Sequence, residues 1–262
     1  MESPIDQGEV LVERDGAVAW MTMSRPSHRN AITKTMVGAM RDALEEIARG
    51  SGVRALVLRG AGGVFSGGAD LGDREALAGG ILPWMRLVGD LVVRLHRLPI
   101  PTLAMVEGPA YGYAANLAFG CDLTLAAEDA YFCEAFTGRG FSVDGGGSYL
   151  LPRLVGLKRA KEMVLFAERI TAPDAAQLGL INRAVPPAEL LALTTEWAGR
   201  LANGATVAMG YAARLLDESH MRTMEQAVEQ EAYGQAVCVG TTDWEEGFAA
   251  FFERREPRFS GR

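Results

Sequence analysis

Hydrophobic and polar positions alternate with a period of two in two short stretches near the start of the chain, Glu9 to Glu13 and Val18 to Met23, with Asp15-Gly16 between them. Such alternation lines one face of a strand with apolar side chains, and an Asp-Gly pair between two such runs suits a tight hairpin turn, so the chain is expected to open with two antiparallel strands. The period then changes. From Thr33 to Arg49 apolar residues recur at helical spacing (Met36, Met40, Ala43, Leu44, Ile47) before Gly50, which predicts an amphipathic helix ended by glycine. A strand-like apolar run, Val53 to Leu58, leads into Val64-Phe65-Ser66-Gly67-Gly68-Ala69-Asp70-Leu71, a glycine turn ahead of a long helical pattern from Ala76 to Leu98.

The unit of strand, glycine turn and helix is then repeated. Thr102 to Val106 is apolar, Gly108-Pro109-Ala110-Tyr111-Gly112 turns, and Tyr113 to Phe119 reads as helix. Asp122 to Ala126 and Ala130 to Cys133 read as short strands, followed by a long glycine-rich loop from Gly138 to Gly147. Loops of that length in a compact domain are often functional. Lys158 to Ala167 is helical, and Thr171-Ala172-Pro173-Asp174 has the form of a helix N-cap with a carboxylate three residues on, starting a helix that stops at Gly179. Ile181 to Val185 is the last strand pattern. Beyond it, Leu190 to Leu201, Thr206 to Asp217, Met221 to Val239 and Asp243 to Arg254 all carry helical periodicity. The expected fold is therefore α/β, with short connections that favour parallel pairing, and a division near Pro186-Pro187 into segments 1–186 and 187–262.

Composition narrows the function. The 262 residues, 48% hydrophobic and 23% charged, can bury a sizeable core as one large domain or one domain with an appendage. No apolar run reaches the roughly 18 residues that span a bilayer, and the N-terminus MESPIDQGEV has neither a basic start nor an apolar stretch, so no membrane or export role is expected. The three cysteines, Cys121, Cys133 and Cys238, are scattered without C-x-x-C spacing. They suggest neither a disulfide framework nor a zinc site, and a reducing cytoplasm fits them best. A net charge of −7 argues against a nucleic-acid or anionic-membrane surface, while leaving room for a small anionic ligand at a local basic cluster.

The two glycine turns are the candidate chemistry. Gly67 and Gly68 permit backbone angles closed to other residues, and Ala69 and Asp70 are expected to open the next helix, where unpaired N–H groups favour an anion or a developing oxyanion. Taken with Val106-Glu107-Gly108-Pro109-Ala110-Tyr111-Gly112, Asn116-Leu117-Ala118 through Cys121-Asp122-Leu123, Val143-Asp144-Gly145-Gly146, Leu151-Pro152-Arg153-Leu154-Val155-Gly156 and the tail Glu246-Gly247 with Phe251 to Pro257, the chain resembles the crotonase family of enoyl-CoA hydratases and isomerases. The match runs in order over nearly the whole length. It implies a spiral of β-β-α repeats, a helical C-terminal trimerisation region, and trimers or dimers of trimers.

The resemblance also implies roles. The N–H groups of Ala69 and Tyr113 would hold the oxygen of an acyl-CoA thioester, each such donor being worth roughly 3 to 4 kcal/mol in a transition state that develops an oxyanion. Tyr113 departs from the family's usual glycine, and its ring either reshapes the acyl pocket or simply packs. Asn116 and Phe136 fall where hydratases of the family carry two glutamates. Asn can hydrogen-bond a water or a substrate polar group but cannot accept its proton, and Phe can do neither, so crotonyl-CoA hydration is expected to be weak or absent. Asp144 matches the catalytic Asp of 2-(1,2-epoxy-1,2-dihydrophenyl)acetyl-CoA isomerases and related double-bond isomerases, with Phe141 and Val143 as apolar neighbours that would raise its pKa; the alternative is an N-cap to a helix beginning at Gly145. Glu134 ranks second as a catalytic acid, and Asp70 is expected to cap its helix. CoA would lie along Gly67, Gly68, Ala69 and Leu71, with its phosphates near Arg25, His28 and Arg29 and with Arg254 or Arg255 reaching a neighbouring subunit's CoA. His96 and His220 read as structural. The expected activity is an acyl-CoA isomerase with one Asp as acid and base and no metal or permanently bound cofactor. The alternatives are a hydratase in name and family, or an inactive acyl-CoA binding protein.

Overall fold

The computed structural model describes residues 6–73, 76, 78 and 80–262. β1 (Glu9–Asp15) and β2 (Val18–Ser24) form the expected hairpin, with Asp15 opposite Val18. β2 then pairs in parallel with β3 (Ala55–Gly60), β3 with β4 (Thr102–Val106), β4 with β6 (Leu123–Ala127) and β6 with β9 (Arg183–Val185), giving a sheet of order β1-β2-β3-β4-β6-β9. β3 and β4 are buried almost throughout. That burial on both faces is why they read as unbroken apolar runs rather than as alternation.

Helices cover the sheet by single apolar stripes. In α1 (Lys34–Ala48), Met36, Val37, Met40, Leu44 and Ile47 are buried, and the Thr33 hydroxyl caps the first turn by accepting from the Met36 N–H. α2 (Ile81–His96) buries Trp84, Val88, Leu91, Val92 and Leu95. The predicted helix from Ala76 begins partly outside the described residues, since 74, 75, 77 and 79 are among those not described. α3 (Tyr113–Phe119) is buried at every position.

A second, three-stranded sheet was not foreseen. β5 (Pro109–Tyr111) lies inside the predicted turn, pairs in parallel with β7 (Tyr131–Cys133), and β7 pairs antiparallel with β8 (Arg169–Thr171). Such short strands carry too few alternations to be read from their own sequence. α4 (Gly147–Phe166) is also longer than the predicted Lys158 to Ala167. It is two helices joined at Gly156, whose φ of 73° breaks the run, and its first half, which carries Pro152, begins where the glycine-rich loop ends. α5 (Ala172–Gln177) starts at the Thr171 cap as expected.

The C-terminal segment 187–262 is helical. α6 (Pro187–Ala202) places Leu190, Thr194, Ala198 and Ala202 in one buried stripe and contacts β2, β3, β4 and β6, so it belongs to the packing of the main sheet. α7 (Thr206–Glu218), α8 (Met224–Val239) and α9 (Thr242–Glu253) leave Leu216, Met224, Tyr233, Phe248, Phe251 and Phe252 exposed. His96 ties this part to the core: its Nδ1 lies 3.2 Å from the Gly120 carbonyl and its Nε2 3.7 Å from the Asp217 carboxylate, a structural role as read from sequence. All three cysteines are free, and among the described residues no helix is long and apolar enough to cross a membrane.

Candidate active site

The two glycine turns are joined by backbone hydrogen bonds. Phe65 N–H donates to Glu107 O (2.7 Å), Ser66 N–H to Pro109 O (3.0 Å) and Tyr111 N–H to Ser66 O (3.2 Å). Gly68 has φ of +94°, and a Cβ there would sit 2.5 Å from the Tyr111 carbonyl oxygen and 3.9 Å from the Tyr113 nitrogen. The first turn thus reaches the start of α3 only because position 68 has no side chain. Ser66 is consumed by this junction: its hydroxyl donates to Asn30 O (2.7 Å) and accepts from Gly68 N–H (3.1 Å).

Ala69 and Asp70 do not open a helix. Ala69 instead pairs in parallel with Ile32, with Ile32 N–H donating to Gly68 O (2.8 Å) and Asp70 N–H to Ile32 O (2.9 Å). A bridge of this kind uses the flanking amides and leaves the Ala69 N–H without an acceptor among the described residues. The Tyr113 N–H is likewise unpaired because it lies in the first turn of α3. These two donors are the groups that could hold a carbonyl oxygen. The Tyr113 side chain packs: it is fully buried, and its hydroxyl donates to Val88 O (2.8 Å).

Three polar side chains gather behind the turns. The Asn116 amide, buried in α3, donates through Nδ2 to Glu134 Oε2 (3.3 Å) and to the Asp144 backbone carbonyl (2.9 Å). Asn116 Oδ1, Glu134 Oε1 and Asp144 Oδ1 are all buried without a hydrogen-bond partner. The glycine-rich loop lies tightly against α3: a Cβ at Gly145 would come within 2.9 Å of the Tyr113 ring, and one at Gly147 within 2.6 Å of Asn116 Nδ2. Asp144 is therefore not an N-cap, since the residue before α4 is Gly146 and no side chain caps that helix. Burial pushes the Asp144 carboxyl up to about 6. Burial, reinforced by the Asp144 charge and opposed by the Asn116 amide, pushes Glu134 up to about 8.

The Glu134 shift has a consequence for stability. A carboxyl whose folded pKa lies above its unfolded value of 4.5 makes the folded state bind more protons, so stability falls as pH rises from about 4.5 through about 8. Glu134→Gln is expected to remove this loss, making the variant more stable than wild type at pH 9 but not at pH 4. At about 1.4 kcal/mol per pKa unit the difference should be on the order of 3 to 5 kcal/mol, read from guanidinium unfolding at the two pH values.

The remaining predicted residues divide between rim and scaffold. Phe136 is buried, its ring 3.6 Å from where a Cβ on Gly112 would lie, so it walls the start of α3. Leu71 is exposed, and so are His28 and Arg29 beside the first turn, where Gly67 N–H donates to Arg29 O (2.8 Å). Arg25 is a correction to the phosphate cluster. It is 2% exposed, with its guanidinium donating to Asp70 Oδ2 (2.6 Å), Asp6 O (2.7 Å) and Ala31 O (3.3 Å). Asp70 correspondingly caps a turn by accepting from Gly72 N–H (2.8 Å) and pairs with Arg25 rather than capping a helix. Arg25→Ala strands the Asp70 carboxylate and two backbone carbonyl acceptors, so a loss of about 3 kcal/mol in unfolding free energy is expected by denaturant titration. Arg255 is held by Glu246 and Glu253, while Arg254 and His220 are exposed. Glu134, expected to rank second as a catalytic acid, lies just past β7 beside the Asn116 amide. β7 ends at Cys133 and Phe136 already has helical angles, so Glu134 is placed by the turn that leaves the strand.

Known proteins resemble this chain over nearly its whole length. The Enoyl-CoA hydratase/isomerase family model matches residues 13–262. A Rhodobacter capsulatus protein named "Probable enoyl-CoA hydratase" is 37% identical over 254 residues, covering 97% of this chain and 98% of that protein. The 1,2-epoxyphenylacetyl-CoA isomerase of Escherichia coli K12 is 31% identical over 258 residues, covering 97% of this chain and 98% of the isomerase. Among solved structures, the enoyl-CoA hydratase from Bacillus anthracis superposes with a TM-score of 0.90 at 27% identity, covering 97% of this chain and 99% of that one.

Proposed function

The chain belongs to the enoyl-CoA hydratase/isomerase family, and from that premise we propose that it is an acyl-CoA isomerase that moves a double bond, or rearranges a ring, through a thioester enolate. The observation that carries this reading is the Asp144 carboxyl. It is largely buried, has no hydrogen-bond partner among the described residues, and sits in the loop packed against Tyr113 and Asn116. A carboxylate raised to about 6 is ionised at neutral pH yet basic enough to take a proton from the carbon next to a thioester. The charge that appears on the carbonyl oxygen would be met by the Ala69 and Tyr113 N–H groups. Backbone donors fixed by the fold need no reorganisation as that charge develops. CoA phosphate would lie near His28 and Arg29, and its adenine edge along Gly67 to Leu71.

Hydration is the second reading, favoured by the names of most relatives. Against it stand Asn116 and Phe136, which supply no carboxylate at two positions that would activate a water. Purified protein with crotonyl-CoA tests the choice: no more than a slow decline of the conjugated-thioester absorbance is expected, and rapid loss of it would establish hydration. If acyl-CoA binds yet no acyl chain is converted, the protein is a binder. The exposed aromatic row Trp244, Phe248, Phe251 and Phe252 on α9 supports assembly into trimers or pairs of trimers, checked by light scattering.

A further inference from the structure

We propose that Glu134 is a second acid of this site, returning the proton to the substrate while Asp144 removes it, with the Asn116 amide holding the two groups in register. The inference rests on the isomerase reading above and adds to it a residue outside the positions where the family resemblance placed catalytic acids.

The geometry points to a pair rather than to a single carboxyl. Glu134 follows directly on Cys133, whose carbonyl accepts the Gly112 N–H (2.8 Å), so it stands beside the turn that presents the Tyr113 N–H. Asp144 approaches the same helix from the loop, through the contact of Gly145 with the Tyr113 ring. One amide nitrogen, Asn116 Nδ2, reaches the Glu134 side chain and the Asp144 backbone together. Each acid keeps one buried oxygen with no partner. A buried carboxyl that only held the fold together would have both oxygens satisfied, because an unpaired buried polar atom costs stability. Glu134 is 1% exposed and faces the Asn116 amide and Asp144, the latter being the ionisable group that acts on it.

Environment separates the two proton affinities. With Asp144 raised to about 6 and Glu134 to about 8, the first is a carboxylate and the second a carboxylic acid between those values. Two carboxyls pushed apart in this way mark a base and an acid. In the step proposed for a β,γ-enoyl thioester, the Asp144 carboxylate takes the α-proton and the C–H electron pair moves into the thioester as a dienolate. The dienolate collapses, the double bond moves to α,β, and the γ-carbon forms its new C–H bond with the proton of Glu134. Asp144 is left protonated and Glu134 ionised, and exchange with solvent restores both.

The test uses 3-hexenoyl-CoA in deuterated and ordinary buffer with wild type, Glu134→Gln and Glu134→Asp. Gln is isosteric and still accepts from Asn116, but it has no proton to give. Glu134→Gln is expected to keep α-hydrogen exchange within about threefold while forming conjugated product about 10²-fold more slowly. Its pH profile should lose the wild-type decline above about pH 8, and Glu134→Asp should regain part of both the rate and the decline. Wild-type product formation by Glu134→Gln with the bell-shaped profile intact would overturn the inference and leave the isomerase reading standing. Equal loss of exchange and product in a variant that still unfolds cooperatively, at or above the wild-type midpoint, would also overturn it, showing that Glu134 only positions other groups. Neither exchange nor product from wild type would remove the isomerase reading, and this inference with it.

Discussion

Asp144→Asn is expected to lower kcat/KM for isomerisation by about 10² to 10⁴, the usual contribution of a positioned acid or base, while acyl-CoA binding stays within a few-fold of wild type. The isosteric amide keeps the volume and the loop contacts but cannot accept a carbon-bound proton. The same change is expected to stabilise the protein at neutral pH. The Asp144 carboxyl has a folded value of about 6 against 3.8, so the folded state disfavours its ionisation and stability is lost as pH rises through that interval. Removing the titration should return up to about 3 kcal/mol above pH 7 and nothing below pH 3.5, at about 1.4 kcal/mol per unit. Lost activity with gained stability is the pattern of a group kept for chemistry. Steady-state rates on a β,γ-enoyl-CoA and denaturant curves at both pH values check the two halves.

Gly68→Ala and Gly67→Ala, adjacent and chemically identical, are expected to behave oppositely. At position 68 the added Cβ meets the Tyr111 carbonyl at 2.5 Å with φ at +94°, so the junction between the turns must open. Because Ala69 follows directly and Tyr113 lies two residues past Tyr111, that opening moves both unpaired N–H groups. A loss of about 10² to 10³ in kcat is expected, comparable to removing one oxyanion donor. At position 67 the nearest atoms are Arg29 O and Cβ at 3.6 and 3.8 Å, ordinary contact, and the rate should stay within about threefold of wild type. Rates for the two variants, with thermal unfolding to confirm folding, decide the matter.

Legibility in the sequence followed the length and regularity of each element. The β1–β2 hairpin, α1 and α6 to α9 announce themselves because period and punctuation persist for a hairpin or several turns. β5 and β8 span three residues each and are held by partners distant in the chain, which no local pattern records. The first half of α4 went unassigned because Pro152 and Gly156 interrupt it, and Gly145 and Gly147 around its start, which read as flexibility, are glycine for want of space against α3. In the candidate site, chain-wide resemblance singled out the two turns and Asp144, which the fold brings together around α3. It could not show that Arg25 is consumed by Asp70, nor that Asn116 joins Glu134 to the Asp144 loop. Both facts arise from side chains brought together by tertiary packing.

The central claim is that this site makes an enolate rather than adding water, and mass spectrometry of the acyl-CoA after incubation in deuterated buffer tests it most directly. With a β,γ-enoyl-CoA, wild type is expected to yield the conjugated isomer carrying solvent deuterium, and Asp144→Asn to yield neither isomer nor label. A product one water heavier, formed from crotonyl-CoA while the β,γ-enoyl-CoA comes back unlabelled and unmoved, would contradict the account.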